Sequence, residues 1–366
     1  MKIINRYILS EAKLPIIFGI SLFTFIFMIE IIVSMMESII IKGISMIDVI
    51  RMLSFYLPMI LSQTIPMGIF LGIMITFGKF TKSSEATAMN SIGMSLKDMI
   101  RPVAVMGVVT TFFIFFLQES IIPRSFTKLQ QLTVKMAYEN PVFQLRDRVL
   151  IDDMSDYRLY IDKIDPKTKD AKNLLIFINE EDAEYPTLVL GETANWQDAA
   201  MVIDNVDFYR FDKNGKENLR GHFEERKIPL SSYFQSVEMQ VDDIEGMGIG
   251  QLVKEMRTKK DKIEKVPYIV EINKKIAVPI STVMLSILGV LMSIGHHRSG
   301  KGVNYGFGIG VIFTYIVLLN IGMVMSYRGK INPYFGIWFP NILLYTFTIM
   351  MYKKKQELDT LHLLHL

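Results

Sequence analysis

Apolar stretches, uncharged except for Glu30 in the first, recur along the chain in two groups of three, separated by a long polar insert. The first group covers residues 14–36, 52–78 and 102–118, and the second covers residues 276–295, 303–327 and 331–352. Most are as long as the ~20 residues that an α-helix needs to cross a bilayer. The pattern predicts an α-helical membrane protein with six transmembrane helices in a 3+3 arrangement.

The polar insert has a different periodicity. Short segments rich in β-branched and aromatic residues alternate with Asp, Asn, Lys and Gly, at residues 149–151, 158–164, 174–178, 187–190, 201–211 and 219–227. This alternation is typical of strands joined by turns, and no helix intervenes between them. We therefore expect an all-β domain of the antiparallel sandwich or jelly-roll kind. Helical spacing returns at residues 249–262.

These patterns divide the chain into three parts. Residues 1–123 form the first transmembrane half, residues 124–262 form the β domain with its C-terminal helix, and residues 263–366 form the second transmembrane half. The basic residues give the orientation, since cytosolic loops carry an excess of Lys and Arg. With both termini inside, the inner segments hold twelve such residues and the short outer loops hold four. We therefore expect cytosolic termini and an external β domain.

Composition supports a membrane protein and gives no positive case for an enzyme. Half of the residues are hydrophobic, the mean hydropathy is +0.30 and the net charge is +3, so a concentrated basic surface for nucleic acid is not indicated. The chain has no cysteine, which excludes disulfides and thiol chemistry. The segment 295–302 resembles a phosphate-binding loop, but Gly302 stands where Ser or Thr would hold magnesium. No metal or cofactor is expected.

The segment between the second and third apolar stretches predicts a short amphipathic helix at residues 83–93. Ser83 or Ser84 can cap its start, and Glu85 complements the helix dipole. Ala86, Met89 and Ile92 would form its apolar face, Gly93 would end it, and Ser95 would cap the next helix. Two interpretations remain: a helix that rests on lipid headgroups, or a coupling helix that a cytosolic motor grips.

Basic residues cluster near the outer ends of the spans. Such residues usually anchor a span against headgroups, but a group that converged on one cavity would attract a phosphate. We select four of them as candidates for binding an anionic headgroup: Lys274, Lys275, Arg328 and Lys330.

The order of short motifs resembles the permease subunits of the lipopolysaccharide-export ABC transporter, LptF and LptG. The motifs are Arg6-Tyr7 with Glu11, Leu71-Gly72, Gly78-Lys79, Ser84-Glu85, Gly93, Ser95, residues 271–279 and 329–333, Trp338 and Asn341. Residues 65–79 and 328–333 are closer to LptF than to LptG. Glu30 and Glu37 depart from the lysines of LptG-type permeases in the first span, so headgroup contacts are not carried over to that span.

The resemblance implies a non-catalytic permease of a bacterial inner membrane. It would pair with an LptG-like permease, bind an LptB-like cytosolic ATPase dimer, and pass lipopolysaccharide through a periplasmic jelly roll to LptC-like and LptA-like proteins. The coupling-helix motif falls on Glu85, Ala86, Met89, Ser91 and Gly93. Spans one and five, with those of the partner permease, would enclose a cavity open to the outer leaflet.

The interior of the β domain has two interpretations. Alternating apolar residues could shield acyl tails in a groove or fill an ordinary core, and the candidates are Leu174, Ile176, Ile178, Leu188 and Leu190. Other function classes also remain: a permease for another lipid or lipoprotein, or a membrane-anchored periplasmic sensor. An ion-driven transporter is disfavoured, because spans two, four, five and six carry no ionisable residue.

Overall fold

The computed structural model describes residues 2–40, 45–139, 148, 150–151, 157–165, 170–179, 185–197, 200–212, 215–229, 244–294 and 303–364. These residues form two compact units. Unit 1 contains Met1–Glu30, Tyr56–Phe126 and Ile244–Leu366, and unit 2 contains Ile31–Phe55 and Thr127–Asp243.

Within the described residues, six helices are long and apolar enough to cross a membrane. Helix α3 is too short to do so and joins α2 to α4, while α6 precedes α7. A five-residue π-helical segment, Leu117–Ile121, joins α4 to α5. The helices are α1 Lys2–Ile40, α2 Met46–Lys82, α3 Glu85–Ser91, α4 Leu96–Phe116, α5 Ile122–Glu139, α6 Ile249–Thr258, α7 Lys262–Ser293, α8 Val303–Tyr327 and α9 Pro333–Leu364.

Glycines let α1 and α2 pack closely in unit 1. A Cβ atom on Gly68 would lie 2.4 Å from the backbone nitrogen of Ile20, and one on Gly72 would lie 2.4 Å from the Cα of Ile16. Small residues are common where membrane helices approach at backbone distance. Beside this contact α2 buries Phe70 and Phe77 completely, so α2 forms much of the core of the bundle.

The insert contains an antiparallel sheet of six strands in sequential order. Each of the six predicted strand segments corresponds to one of them. Together with the six membrane-capable helices, this sheet confirms the predicted fold class. The strands are β1 Leu150–Ile151, β2 Tyr157–Ile164, β3 Ala171–Ile178, β4 Thr187–Gln197, β5 Ala200–Phe211 and β6 Glu217–Pro229.

A polar row crosses four strands of this sheet and shifts the alternation of its side chains. Asp162, Asn173, Glu192 and Asn205 lie opposite one another in neighbouring strands. Asn173 and Asn205 have positive φ angles of 54° and 52°, which asparagine tolerates better than most residues. Inward-facing residues are therefore three positions apart across the row: Ile161 and Ile164, Ala171 and Leu174, Gly191 and Ala194, Ile203 and Val206.

Candidate functional site

The end of helix α3 agrees with the sequence prediction, but its start does not. Ser84 adopts a left-handed conformation and its side chain caps nothing, so the predicted serine cap is wrong. The hydroxyl of Ser83 instead donates to Oε1 of Glu85 at 2.7 Å. Gly93 ends the helix with a φ of +85°, and Ser95 forms a capping box with Asp98 at the start of α4. Both of these latter predictions are confirmed.

The apolar face of α3 packs on unit 1. Ala86 and Met89 are 5% and 8% exposed and belong to a core that contains Phe77 and Phe80. Ile92, predicted to share this face, is 70% exposed. Its place is taken by Met94, whose amide donates to the carbonyl of Met89 at 3.1 Å. This contact is part of a Schellman motif, in which the left-handed Gly93 reverses the chain and turns the following residue back onto the helix.

Polar contacts tie α3 to α1 and α2. The hydroxyl of Tyr7 donates to Oε2 of Glu85 at 2.8 Å, and the Tyr7 ring stacks on Phe80 with 5.7 Å between centroids. Nearby, Nζ of Lys79 lies 2.6 Å from Oε2 of Glu11. We call the set Tyr7, Glu11, Lys79, Ser83 and Glu85 the α3 junction.

The electrostatics of the α3 junction favour an ionised Glu85. The hydrogen bond from Ser83, and then the one from Tyr7, hold the pKa of the Glu85 carboxyl below its ordinary value. Both bonds donate to the charged form of the carboxylate, which they therefore stabilise. Sequence reasoning gave Tyr7 no role, because 78 positions separate it from Glu85.

The outward side of α3 is a small exposed surface. Its residues are Thr87, Ala88, Asn90, Ser91 and Ile92. Of the five residues predicted for motor binding, only Ser91 and Gly93 lie at this exposed end. The carboxylate of Glu85 is hydrogen-bonded within the α3 junction. Ala86 and Met89 face the bundle. This surface therefore combines one large apolar side chain with small, mostly polar residues.

A second polar group lies at the far end of α4, beside α7. Nζ of Lys274 lies 3.1 Å from Oε1 of Glu245 and 3.2 Å from Oε2 of Glu271. Lys275 donates to the carbonyl of Glu245 at 2.8 Å and lies 3.8 Å from Glu271. The side chains of Glu271 and Lys275 are only 4% exposed. We call Glu245, Glu271, Lys274 and Lys275 the α7 cluster.

Comparison with protein families gives one match. Residues 6–354 match the family of the lipopolysaccharide export system permease LptF/LptG. The chain belongs to this family. The match extends from the α3 junction through the α7 cluster and both helical halves. The resemblance drawn from the motifs is thereby confirmed at the level of the family, which does not separate LptF from LptG. A search of curated proteins gives no match.

The four residues of the permease that are predicted to bind a headgroup lie in two different environments. Lys274 and Lys275 are engaged by carboxylates of the same chain within the α7 cluster. Arg328 and Lys330 flank Gly329 in the turn between α8 and α9 and are exposed. Among the described residues, neither of these two side chains has an ion-pair partner, so both are accessible to an anion.

The permease also divides the five candidate residues of its sheet between two faces. Leu174 and Ile176 are 1% and 2% exposed, and Ile178 packs against the same core. The register pairs Phe177 with Leu188 and Leu175 with Leu190, which places these two leucines on the opposite face. The inner face is already a packed core, an arrangement that favours the ordinary-core interpretation for Leu174 and Ile176.

A long-range contact of Glu119 was also missed by sequence reasoning. Glu119, in the π-helical segment, accepts from the amides of Ile249 at 2.8 Å and Gly250 at 3.3 Å. Its carboxylate therefore caps α6 from a distance of 130 positions along the chain. A Cβ atom on Gly248 would lie 3.2 Å from the same carboxylate, so a larger residue there would have to displace the Glu119 side chain slightly. No local sequence signal indicates this contact.

Proposed function

We propose that the chain is one permease subunit of an ATP-driven transporter, which extracts lipopolysaccharide from the outer leaflet of the inner membrane and passes it to a periplasmic bridge. Family membership supports the transport system. The distribution of basic residues supports cytosolic termini and a periplasmic sheet. The sheet would hand the lipid to an LptC-like protein and then to an LptA-like bridge.

A motor is physically necessary for this cargo. Removing an acyl tail of about a dozen methylenes from the bilayer costs roughly 10 kcal/mol, at ~0.8 kcal/mol per CH₂. Lipopolysaccharide carries several tails, so spontaneous release is negligible. The ATP is hydrolysed in a separate protein under this proposal, because the permease acts as the non-catalytic subunit that the motor moves.

The observation that carries the proposal is the exposed end of α3. The helix is fixed to the bundle by buried Ala86 and Met89, yet Ile92 is 70% exposed. A helix that is anchored on one side and open on the other can transmit a push from an LptB-like ATPase dimer to α2 and α4. Tyr7 extends the same connection to α1.

The apolar surfaces of α1 and α8 support a second permease as partner. Only 11% of the apolar window of α1 and 28% of that of α8 are buried within the chain. We propose that these two spans, with those of an LptG-like partner, enclose the cavity that receives the lipid. Arg328 and Lys330, at the end of α8, would contact the phosphates of the headgroup.

Affinity purification in mild detergent tests the docking role of α3. We expect Ile92→Glu to abolish recovery of the ATPase, since a charge at the exposed tip cannot enter an apolar groove. The matched control is Ile263→Glu, another isoleucine that is 84% exposed but lies at the start of α7. Glu85→Lys should also reduce recovery. Equal ATPase recovery with Ile92→Glu and the control would contradict the proposal.

The same preparation identifies the cargo. Lipopolysaccharide should accompany the complex, whereas another lipid or a lipoprotein in its place would favour a different permease activity. We expect the double variant Arg328→Ala with Lys330→Ala to retain less lipopolysaccharide. Recovery of the ATPase by this variant serves as the internal control for folding and assembly.

A further inference from the structure

An apolar cleft of about 390 Å³ lies between α8 and α9. The residues that line it on α8 include Phe307, Gly310 and Leu318, and those on α9 include Pro340, Leu343 and Phe347. This cleft is separate from the α3 junction and from the α7 cluster. The cargo cavity proposed above also involves α8, but none of the lining residues of this cleft has a role in that proposal.

The cleft begins where a tight helix contact ends. A Cβ atom on Gly322 of α8 would lie only 2.1 Å from the carbonyl oxygen of Gly336 in α9. The two helices are therefore at backbone distance near their connecting turn. The cleft lies further from that turn, since Leu318 and Pro340 are its lining residues nearest to the glycine contact.

The lining is almost entirely apolar and offers water no free hydroxyl proton. Its two hydroxyl groups are already used: Thr314 donates to the carbonyl of Gly310 at 2.8 Å, and Tyr315 donates to Oδ1 of Asn341 at 3.0 Å. Apolar cavities without free polar groups stay dry and take up apolar molecules. Because both helices are membrane spans, the apolar molecules that surround them are acyl chains.

A cationic side chain lies on the same face of α9 as the cleft. Lys354 follows Phe347 by seven residues, nearly two helical turns, which places it about 10 Å further along the helix. Pro340, at the other end of the cleft, is about 21 Å from Lys354 by the same rise per residue. One leaflet contributes about half of the ~30 Å hydrocarbon thickness, so the part of the cleft near Phe347 lies at the depth of an acyl chain whose headgroup meets Lys354.

We propose that the cleft binds one acyl chain of an anionic glycerophospholipid, whose phosphate is held by Lys354. Lys353 is also exposed, while Lys355 is turned back to the carbonyl of Ile294. The negative surface potential of a cytoplasmic leaflet attracts such basic residues next to a span. The lipid would be resident, a structural component of the α8–α9 pair rather than the cargo.

Two glycines of α8 provide a matched pair of variants. A Cβ atom on either Gly306 or Gly310 meets nothing within 4 Å, so a larger side chain fits at both positions without a backbone clash. Only Gly310 lines the cleft. The substitution Gly310→Phe therefore fills the cleft, and Gly306→Phe adds the same ring outside it.

Native mass spectrometry of the purified full chain tests the proposal, with mixed micelles that contain phosphatidylglycerol or phosphatidylcholine as the probe. We expect one retained phosphatidylglycerol in the unmodified chain and in Gly306→Phe, and its loss in Gly310→Phe. Lys354→Gln should reduce the preference for the anionic lipid about fivefold, and Lys97→Gln, at an exposed lysine in the first turn of α4, should leave it unchanged. Equal retention by both glycine variants, or no lipid preference in the unmodified chain, would overturn the proposal.

A photo-crosslinker at Leu343 provides a readout that does not depend on how well the glycine variants fold. Capture of a glycerophospholipid supports the resident lipid. Capture of lipopolysaccharide would identify the cleft as part of the cargo route, and capture of a protein would identify it as a surface for another span. Either of these two results would also overturn the proposal.

Discussion

The α3 junction and the α7 cluster contain the same kinds of ionisable side chain in opposite environments. In the α3 junction, the side chains of Lys79 and Glu11 are 61% and 32% exposed. In the α7 cluster, those of Lys275 and Glu271 are each 4% exposed. Charges attract weakly in water and strongly in a low-dielectric interior, where they also lose their hydration. We infer that the exposed contacts can rearrange, as the proposed function requires of α3, whereas the buried ones hold the bundle together.

The largest effect should come from breaking the α7 cluster. Glu271→Gln leaves two buried ammonium groups with Glu245 as the remaining carboxylate of the cluster, and Glu245 is 48% exposed. Removing one partner of a buried ion pair costs about 3–5 kcal/mol of folding free energy. We expect a large fall in Tm, measured by thermal unfolding of the purified protein in detergent.

The control for this variant lies on the same helix. Glu264 is in the first turn of α7 and is exposed, so Glu264→Gln removes a carboxylate without disturbing a buried cation. Its Tm should stay close to that of the unmodified protein. If both variants lowered Tm equally, burial would not be the property that distinguishes the two polar groups.

A smaller effect is expected at the Glu119 cap. Glu119→Gln removes the charge that accepts from the amides of Ile249 and Gly250. Loss of a helix cap costs about 0.5–2 kcal/mol. We expect faster hydrogen–deuterium exchange at these two amides, with little change elsewhere in the bundle. Glu255→Gln, later in the same helix, is the control, and equal exchange in the two variants would contradict the capping role.

The sequence predicts the helices and strands better than their long-range contacts. Local periodicity predicts the helices from apolar runs and the strands from alternating segments. The end of α3 at Gly93 is also a local signal, because only a residue that tolerates positive φ ends a helix in this way. The partners of Tyr7 and Glu119 lie 78 and 130 positions away, and no local pattern encodes them.

Two errors of sequence reasoning have identifiable physical causes. Ile92 continues the helical spacing of Ala86 and Met89, but the Schellman motif reverses the chain one residue later and buries Met94 instead. In the sheet, alternation makes Leu188 and Leu190 look equivalent to Leu174. The register between β3 and β4 determines which face they share, and that register is not visible in either strand alone.

The third prediction concerns the pH dependence of the α3 junction. Because hydrogen bonds lower the pKa of Glu85 in the folded protein, the ionised carboxylate stabilises the fold fully above its ordinary pKa, and this contribution is lost as pH falls through the lowered value. Tyr7→Phe keeps the ring on Phe80 but removes one of these bonds. We expect it to lower stability by less than about 1 kcal/mol at neutral pH, since the site is exposed.

The measurement is the difference in Tm between the unmodified protein and Tyr7→Phe across a pH series. The difference should be present at neutral pH and disappear in acid, because a protonated Glu85 no longer favours the hydrogen bond. In a Glu85→Gln background the same substitution should give a difference that does not vary with pH. A pH-dependent difference in that background would mean that Tyr7 acts through another group.

The smallest effect should come from the exposed ion pair of the α3 junction, between Lys79 and Glu11. An exposed pair gains little Coulomb energy and must hold two long side chains in place, so many such pairs contribute nothing measurable. We expect Lys79→Gln to leave Tm unchanged in moderate salt, with any small decrease in low salt abolished by added salt. A decrease as large as that of Glu271→Gln would show that the α3 junction is also a structural element. Under the proposed function, an ATPase could then move α3 only together with α1 and α2, as one rigid body.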